Sequence, residues 1–171
     1  FFNSGNYSEA IKWYRIAADQ GYAKAQINLG LMYYDGDGVT QNHSEAAKWY
    51  KLAADQGHVD ALYLFGFIYY LGQYGVDQDY TMATKSFKLA AEQGHIKAQY
   101  WLGIMYFYGE GVKQNYSVAS TWYKLAADQG NVDAQYALGN MYSLRQGVAL
   151  DYKEAAKLFK LAADQGHAGA Q

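Results

Sequence analysis

One five-residue sequence recurs along this chain and constrains its fold more than any other feature. Ala53-Ala54-Asp55-Gln56-Gly57 returns four more times, once with Glu92 in place of the aspartate. The copies end at glycines that lie 36 or 37 residues apart: Gly21, Gly57, Gly94, Gly130 and Gly166. Such a fixed period is the signature of a repeat array, in which each unit packs only against its neighbours. The sequence therefore predicts stacked units rather than one domain around a single core.

Each unit has the pattern of two amphipathic helices joined by a glycine-containing loop. In the unit 22–57, apolar residues at helical spacing predict a first helix over about 23–35 and a second over 44–55. Asn42 is the predicted N-cap of the second helix, with Glu45 at the capping-box position. Gly57 follows that helix, at the place where a left-handed residue commonly ends a helix. An isolated second helix over about 7–19, with Asn6 as its N-cap, precedes this unit.

The period divides the chain into a truncated repeat at 1–21, complete repeats at 22–57, 58–94, 95–130 and 131–166, and the start of another at 167–171. The additional residue of the repeat 58–94 falls in its loop, at 72–75. Arg145 replaces the glycine that begins the loop of the other repeats, so we expect that loop to differ locally. Because the chain begins at Phe1 and ends early in a new unit, we expect it to be part of a longer protein.

Small residues recur at the same positions of every complete repeat. Glycine inside a helix costs about 1 kcal/mol in propensity relative to alanine, so its recurrence there predicts the close approach of another helix. Three residues after each of these glycines comes a tyrosine, the first of which is Tyr33. This column of tyrosines, at one position of successive repeats, is predicted to fill the space between the small residues. The recurring alanines and glycines of the first helix are Ala25, Ala61, Ala98 and Ala134, and Gly30, Gly66, Gly103 and Gly139.

The pattern Ala-Gln-x-x-Leu-Gly-x-Met-Tyr-x-x-Gly-x-Gly-Val, followed by Ala-x-x-Trp-Tyr-x-x-Ala-Ala-x-x-Gly, resembles the Sel1-like repeat family, a relative of the tetratricopeptide repeat. The resemblance covers essentially the whole chain. It implies an all-α, right-handed superhelix of helix-turn-helix repeats of about 36 residues. It also implies that the first helices line the concave side, and that the protein binds other proteins or peptides.

The first helices carry apolar residues on both faces, which is unusual for a surface helix. One face holds the core positions, such as Ala61 and Ile68. The opposite face is also largely aromatic, and we name it the aromatic face. Its predicted partner-binding residues are Leu31, Tyr34, Tyr63, Phe67, Tyr70, Tyr100, Trp101, Ile104, Phe107 and Tyr136. Large rings supply contact area at low entropic cost, so this face predicts a peptide-binding groove; the alternative is that tight stacking buries the rings.

Charge is segregated to other positions. The outward columns of the second helices hold most of the basic residues, which we name the lysine face and interpret as a solvated surface: Lys12, Arg15, Lys48, Lys51, Lys85, Lys88, Lys124, Lys157 and Lys160. Lys24, Asp60, Lys97 and Asp133 alternate along the edge of the aromatic face and are expected to set the orientation of a partner. The formal net charge of −2 indicates no excess of basic residues for nucleic acid.

The sequence offers no chemistry for catalysis or for a cofactor. It contains no cysteine and no serine-nucleophile motif, so no catalytic residue is assigned. Asp35-Gly36-Asp37-Gly38 lacks the later ligands of a calcium loop, and His58, His95 and His167 lie one repeat apart, too far for a shared metal. His43 is interpreted as an isolated histidine. No metal site, cofactor or membrane-spanning segment is predicted, and the cellular compartment stays open.

The leading hypothesis is a non-enzymatic scaffold or adaptor that binds a peptide or a partner helix on the aromatic face. One alternative is a helical repeat that binds single-stranded RNA by stacking bases on the rings; the acidic edge residues Asp60 and Asp133 oppose it. A second alternative is a structural array that self-associates through exposed repeat ends.

Overall fold

The computed structural model describes residues 7–170, which form helices joined by loops, with no strand among them. The helices are α1 (Tyr7–Asp19), α2 (Ala23–Asp35), α3 (His43–Asp55), α4 (Val59–Leu71), α5 (Tyr80–Glu92), α6 (Ile96–Tyr108), α7 (Tyr116–Asp128), α8 (Val132–Leu144) and α9 (Tyr152–Asp164), followed by a short 3-10 turn (Ala168–Ala170). The predicted all-α fold of helix pairs is confirmed, and the predicted bounds of the first repeat agree with the structure to one residue.

The chain packs as two compact units, one ending at Ser86 and the other beginning at Phe87. In the N-terminal unit, α2 packs against both α1 and α3, and α3 packs against α4. In the C-terminal unit, α7 packs against α6 and α8, and α8 packs against α9. The second helices α3 and α7 thus each contact the first helix of their own repeat and that of the next repeat, as an array requires.

Helix ends follow the predicted capping chemistry. The Asn42 side-chain oxygen accepts a hydrogen bond from the Glu45 backbone N–H at 3.0 Å, and Asn115 accepts one from Val118 at 3.1 Å. Asn6 lies outside the described residues. Gly57 takes the left-handed conformation predicted for it, with φ of 81°. These contacts satisfy backbone groups that a helix leaves unpaired at its ends.

The recurring small residues are buried between helices, as predicted. A Cβ on Gly30 would lie 2.5 Å from the Tyr50 ring of α3, and one on Gly103 would lie 2.5 Å from the Tyr123 ring of α7. Glycine is therefore needed because an aromatic ring rests directly on the helix backbone. Ala61 of the first helix and Ala46 of the second helix are also buried, and so are the alanines at the same positions of the other complete repeats.

The largest rings in the core belong to the second helices. Tyr50 and Phe87 are fully buried, and Tyr123 is nearly so. The column that begins with Tyr33 is only half-buried at the margin of the core clusters. The prediction that this column fills the space between small residues is thus only partly correct, because the rings that face Gly30, Gly103 and Gly139 come from the following helix.

A pair of glutamines, the first buried and the second exposed, links helices of one repeat and was not anticipated from the sequence. Gln99 donates a hydrogen bond to the Ala91 carbonyl of the preceding second helix at 3.3 Å. Its own side-chain oxygen accepts a hydrogen bond from Gln129 at 2.7 Å. The same arrangement is present for Gln26 with Gln56, and for Gln135 with Gln165. The repeat 58–94 has a buried leucine, Leu62, in place of the first glutamine.

The loop that begins at Arg145 keeps the helix-ending geometry of the other repeats, which corrects our expectation that it would differ there. Arg145 has φ 56° and ψ 39°, close to the 78° and 31° of Gly109 at the equivalent position. Both residues donate their backbone N–H to the carbonyl four residues earlier, Met141 and Met105 respectively. The flanking helices impose this left-handed conformation even though it disfavours a residue with a Cβ.

We expect Gln129→Ala to lower stability more than Gln93→Ala. Both glutamines bond to the carbonyl four residues earlier, but only Gln129 also satisfies a buried partner, Gln99. Leaving the Gln99 oxygen without a donor costs about 1–3 kcal/mol. In thermal denaturation, Gln129→Ala should lower Tm by several degrees relative to Gln93→Ala, at about 2–4 °C per kcal/mol. Equal shifts for the two variants would show that the pair does not contribute.

We expect Arg145→Gly to stabilise the protein by up to about 1 kcal/mol. A non-glycine residue in the left-handed region costs about 1–2 kcal/mol, while the greater freedom of glycine in the unfolded chain offsets about 0.5–1 kcal/mol of the gain. Urea denaturation measures the difference. Arg145→Ala is the control: it keeps the Cβ and should leave stability nearly unchanged. A gain for the alanine variant equal to that for glycine would assign the effect to the guanidinium instead of the backbone.

Candidate functional site

The predicted binding residues all lie on first helices and are partly accessible. Five belong to the N-terminal unit, on α2 and α4, and five to the C-terminal unit, on α6 and α8. Leu31 is exposed, at 36% of its maximum, and the other nine are half-buried. The rings are therefore neither sealed in the core nor fully solvated.

One column of the aromatic face packs against the ring that begins the following helix. Tyr34 stacks on His43 with ring centroids 4.3 Å apart. Tyr70 meets Tyr80 at 5.5 Å, and Phe107 meets Tyr116 at 5.0 Å. These partners were not predicted, although every second helix begins with an aromatic residue: Tyr7, His43, Tyr80, Tyr116 and Tyr152.

His43 belongs to an aromatic stack, which the sequence did not lead us to expect. Tyr34 covers one face of the imidazole, and Tyr74 contacts it edge-on at 4.6 Å. Tyr74 comes from the loop with the additional residue and has a positive φ of 50°. His43 is only 2% exposed, and its ring nitrogens have no hydrogen-bond partner. Burial, followed by the nearby Asp35 carboxylate, raises the pKa of the Tyr34 hydroxyl.

A pocket of about 250 Å³ in the C-terminal unit brings together four of the predicted residues, Tyr100, Ile104, Phe107 and Tyr136. The pocket lies between α6 and α8, and Tyr123 of α7 contributes to it. The Tyr123 ring lies 5.8 Å from that of Tyr100 and 6.5 Å from that of Phe107. This ring also rests on Gly103, so the pocket is built on the helix contact that defines the repeat.

Polar groups also line this pocket. Asp133, in the first turn of α8, is exposed, and its carboxylate lies 3.6 Å from the Nε2 atom of His167. His167 stacks on Tyr136 at 4.3 Å. Asn140 and the exposed Tyr108 also line the pocket. Burial raises the pKa of the Tyr123 hydroxyl, with smaller contributions from the nearby Tyr100 and Tyr108.

The other predicted residues occupy different surroundings. Trp101 stacks on the buried Phe87 at 6.1 Å and does not line the pocket. Tyr63 and Phe67 stack on each other on α4 at 5.9 Å. Leu31 lines a cavity of about 230 Å³ in the N-terminal unit, together with Tyr14 and Asn28, which correspond by the repeat period to Tyr123 and Ala137.

The lysine face is exposed, as predicted. Lys51 pairs with Asp55 at 2.6 Å and Lys124 with Asp128 at 2.8 Å, each four residues apart on a helix. Exposed pairs of this kind contribute little to stability, about 0.3–0.5 kcal/mol each. They reduce the net positive charge that this surface presents.

Within residues 7–170, no group of three or more His, Asp or Glu side chains is placed to hold a metal ion. Over the same residues, no helix has the length and apolarity needed to cross a membrane.

The sequence model of the Sel1 repeat family matches this chain five times, at residues 4–22, 23–58, 59–95, 96–131 and 132–167. A comparison with curated protein sequences finds no match. Solved structures do match. A protective antigen of uropathogenic Escherichia coli with an SLR fold is 40% identical, with a TM-score of 0.92. A Sel1 repeat protein from Oxalobacter formigenes is 37% identical, with a TM-score of 0.86.

The chain spans only part of these relatives. The match covers 96% of this chain but 35% of the Escherichia coli protein, and 95% of this chain but 64% of the Oxalobacter formigenes protein. The cysteine-rich protein B of Helicobacter pylori is a more distant neighbour, at 26% identity and a TM-score of 0.57; the match covers 72% of this chain and 93% of that one.

Proteins built from Sel1 repeats are generally protein-interaction scaffolds and are typically non-catalytic. The repeated match and the similarity of the fold lead to one conclusion: this chain belongs to the Sel1 repeat family.

Proposed function

We propose that this chain is a non-enzymatic interaction module that binds an extended peptide or a partner helix on the aromatic face. The observation that carries the proposal is the pocket of about 250 Å³ in the C-terminal unit, which is lined by four of the residues that the sequence singled out. The general role of Sel1 repeat proteins as scaffolds supports the same reading.

The pocket has the dimensions of an anchor site rather than of a small-molecule site. Small-molecule sites enclose about 300–1,000 Å³ and bury most of their ligand. A volume of about 250 Å³ is better matched to one or two side chains of a longer partner. Protein interfaces concentrate their binding energy in such central anchors.

The rings are held in place before any partner arrives. Tyr100 packs against Tyr123, and Phe107 packs against both Tyr116 and Tyr123. Side chains that are already ordered lose little rotamer entropy when a partner binds, and so more of the contact energy appears as affinity.

The two alternatives lack a comparable observation. A phosphate backbone needs basic groups beside the stacking rings, whereas the pocket presents Asp133 and no lysine or arginine among the described residues that line it. Self-association remains testable by sedimentation at several protein concentrations.

We expect Tyr100→Ala combined with Tyr136→Ala to weaken peptide binding at least about tenfold, because truncating a central aromatic anchor costs about 2 kcal/mol or more. The probes are peptides selected against the folded chain from a random displayed library, with affinities measured by calorimetry. The control combines Leu125→Ala with Tyr152→Ala, both exposed and outside the pocket.

Circular dichroism establishes that both double variants remain folded. Two results would overturn the proposal: a selection that yields no binding peptide, or affinities that the control pair reduces as strongly as the pocket pair does.

A further inference from the structure

The lining of the pocket between α6 and α8 combines aromatic rings with one carboxylate. Four described rings approach one another there: Tyr100 lies 5.8 Å from Tyr123, Phe107 lies 6.5 Å from Tyr123, and Phe107 lies 5.0 Å from Tyr108. The faces of aromatic rings carry partial negative charge and attract a cation within about 6 Å of the ring centroid.

Asp133 adds a full negative charge to this surface and retains the capacity to bind. Its nearest described partner is His167, whose Nε2 atom lies 3.6 Å from the carboxylate, beyond the range of a good hydrogen bond. The Asp133 side chain is 60% exposed and lines the pocket. None of the described lining residues is a lysine or an arginine that would neutralise it.

Among peptide side chains, arginine fits this combination best. Its planar guanidinium stacks on aromatic rings and donates paired hydrogen bonds to a carboxylate, whereas lysine presents a compact, strongly hydrated charge. Its apolar stem can cover Ile104 and Ala137, which lie in the same lining. An acidic side chain would meet Asp133 and the ring faces, and both would repel it.

We propose that the pocket formed by Tyr100, Phe107, Tyr123 and Asp133 is a recognition site for an arginine side chain of the partner. This inference rests on the proposed peptide-binding function and specifies the chemistry of its central anchor. Charge complementarity carries it: the described lining has aromatic rings, one carboxylate and the His167 imidazole beside that carboxylate, but no lysine or arginine, and so it favours a cation that can also stack.

The chain provides a matched control for the charge. By the repeat period, Asp60 occupies the position in α4 that Asp133 occupies in α8. Asp133→Asn and Asp60→Asn therefore make the same change in net charge and both substitute the second residue of a first helix. Only Asp133 lines the pocket described above.

The test uses the whole chain, labelled with nitrogen-15, and two small probes that differ only in charge. Acetyl-arginine methylamide is the cation, and acetyl-citrulline methylamide is its neutral isostere. In an NMR titration we expect the arginine probe to shift backbone amides of α6 and α8 around Tyr100 and Ala137, with citrulline binding at least about fivefold more weakly.

Asp133→Asn should weaken arginine binding by about five- to tenfold, and Asp60→Asn by less than about twofold. Nα-acetyl-lysine methylamide, whose side-chain ammonium is free, should bind more weakly than the arginine probe. The inference is overturned if citrulline binds as well as arginine, if both aspartate variants have the same effect, or if the arginine probe shifts no pocket amide.

The selected peptides separate this inference from the function on which it rests. If the library yields peptides that depend on Tyr100 and Tyr136 but whose affinity is unchanged on replacing arginine by citrulline, the peptide-binding function stands and the arginine site fails. If the library yields no peptide that depends on these rings, the proposed function itself fails.

Discussion

The contact between a glycine of the first helix and a ring of the following helix, described in three of the four complete repeats, is the interaction on which the repeat depends. Gly30 faces Tyr50, Gly103 faces Tyr123 and Gly139 faces Phe159, and in each case an added Cβ would lie 2.8 Å or less from the ring. A ring that rests on a helix backbone brings the two helices closer than ordinary side chains allow. The helical glycine costs about 1 kcal/mol in propensity, and the burial of an aromatic ring outweighs that cost.

This contact also builds the candidate site. Tyr123 rests on Gly103 and at the same time lines the pocket beneath Tyr100 and Phe107. The residue that holds α6 against α7 is therefore also part of the binding surface. Any change at Tyr123 would alter stability and binding together, which is why Tyr100, Tyr136 and Asp133 are the informative positions for testing function.

The repeats are not equivalent, and several of their differences lie on the aromatic face. Tyr34, Tyr70 and Phe107 each pack against the ring that begins the next helix. The last complete repeat has Ser143 at this position, and Tyr152, which begins the next helix, is mostly exposed. Within one architecture, substitutions at a single column thus decide how much ring surface is covered by the chain and how much stays accessible to a partner.

Local patterns in the sequence determined the helices and their ends. The period of 36 or 37 residues, the apolar spacing and the N-cap asparagines predicted α1 to α3 to within one residue. Such signals depend on residues a few positions apart, so they can be recognised without knowing the fold. The positions that hold buried alanines and glycines could be read in the same way, because every repeat places them alike.

Only the tertiary structure decided which side chains meet across helices. The Gln99–Gln129 pair, the stacking of Tyr136 on His167 and the pocket beside Asp133 join residues about 30 or more positions apart. The expectation that the loop at Arg145 would differ also failed, because it considered only the type of residue. The helices on either side of the loop impose a left-handed conformation that arginine disfavours. Helix formation is a local property of the chain, whereas the approach of rings, carboxylates and amides depends on how the helices pack.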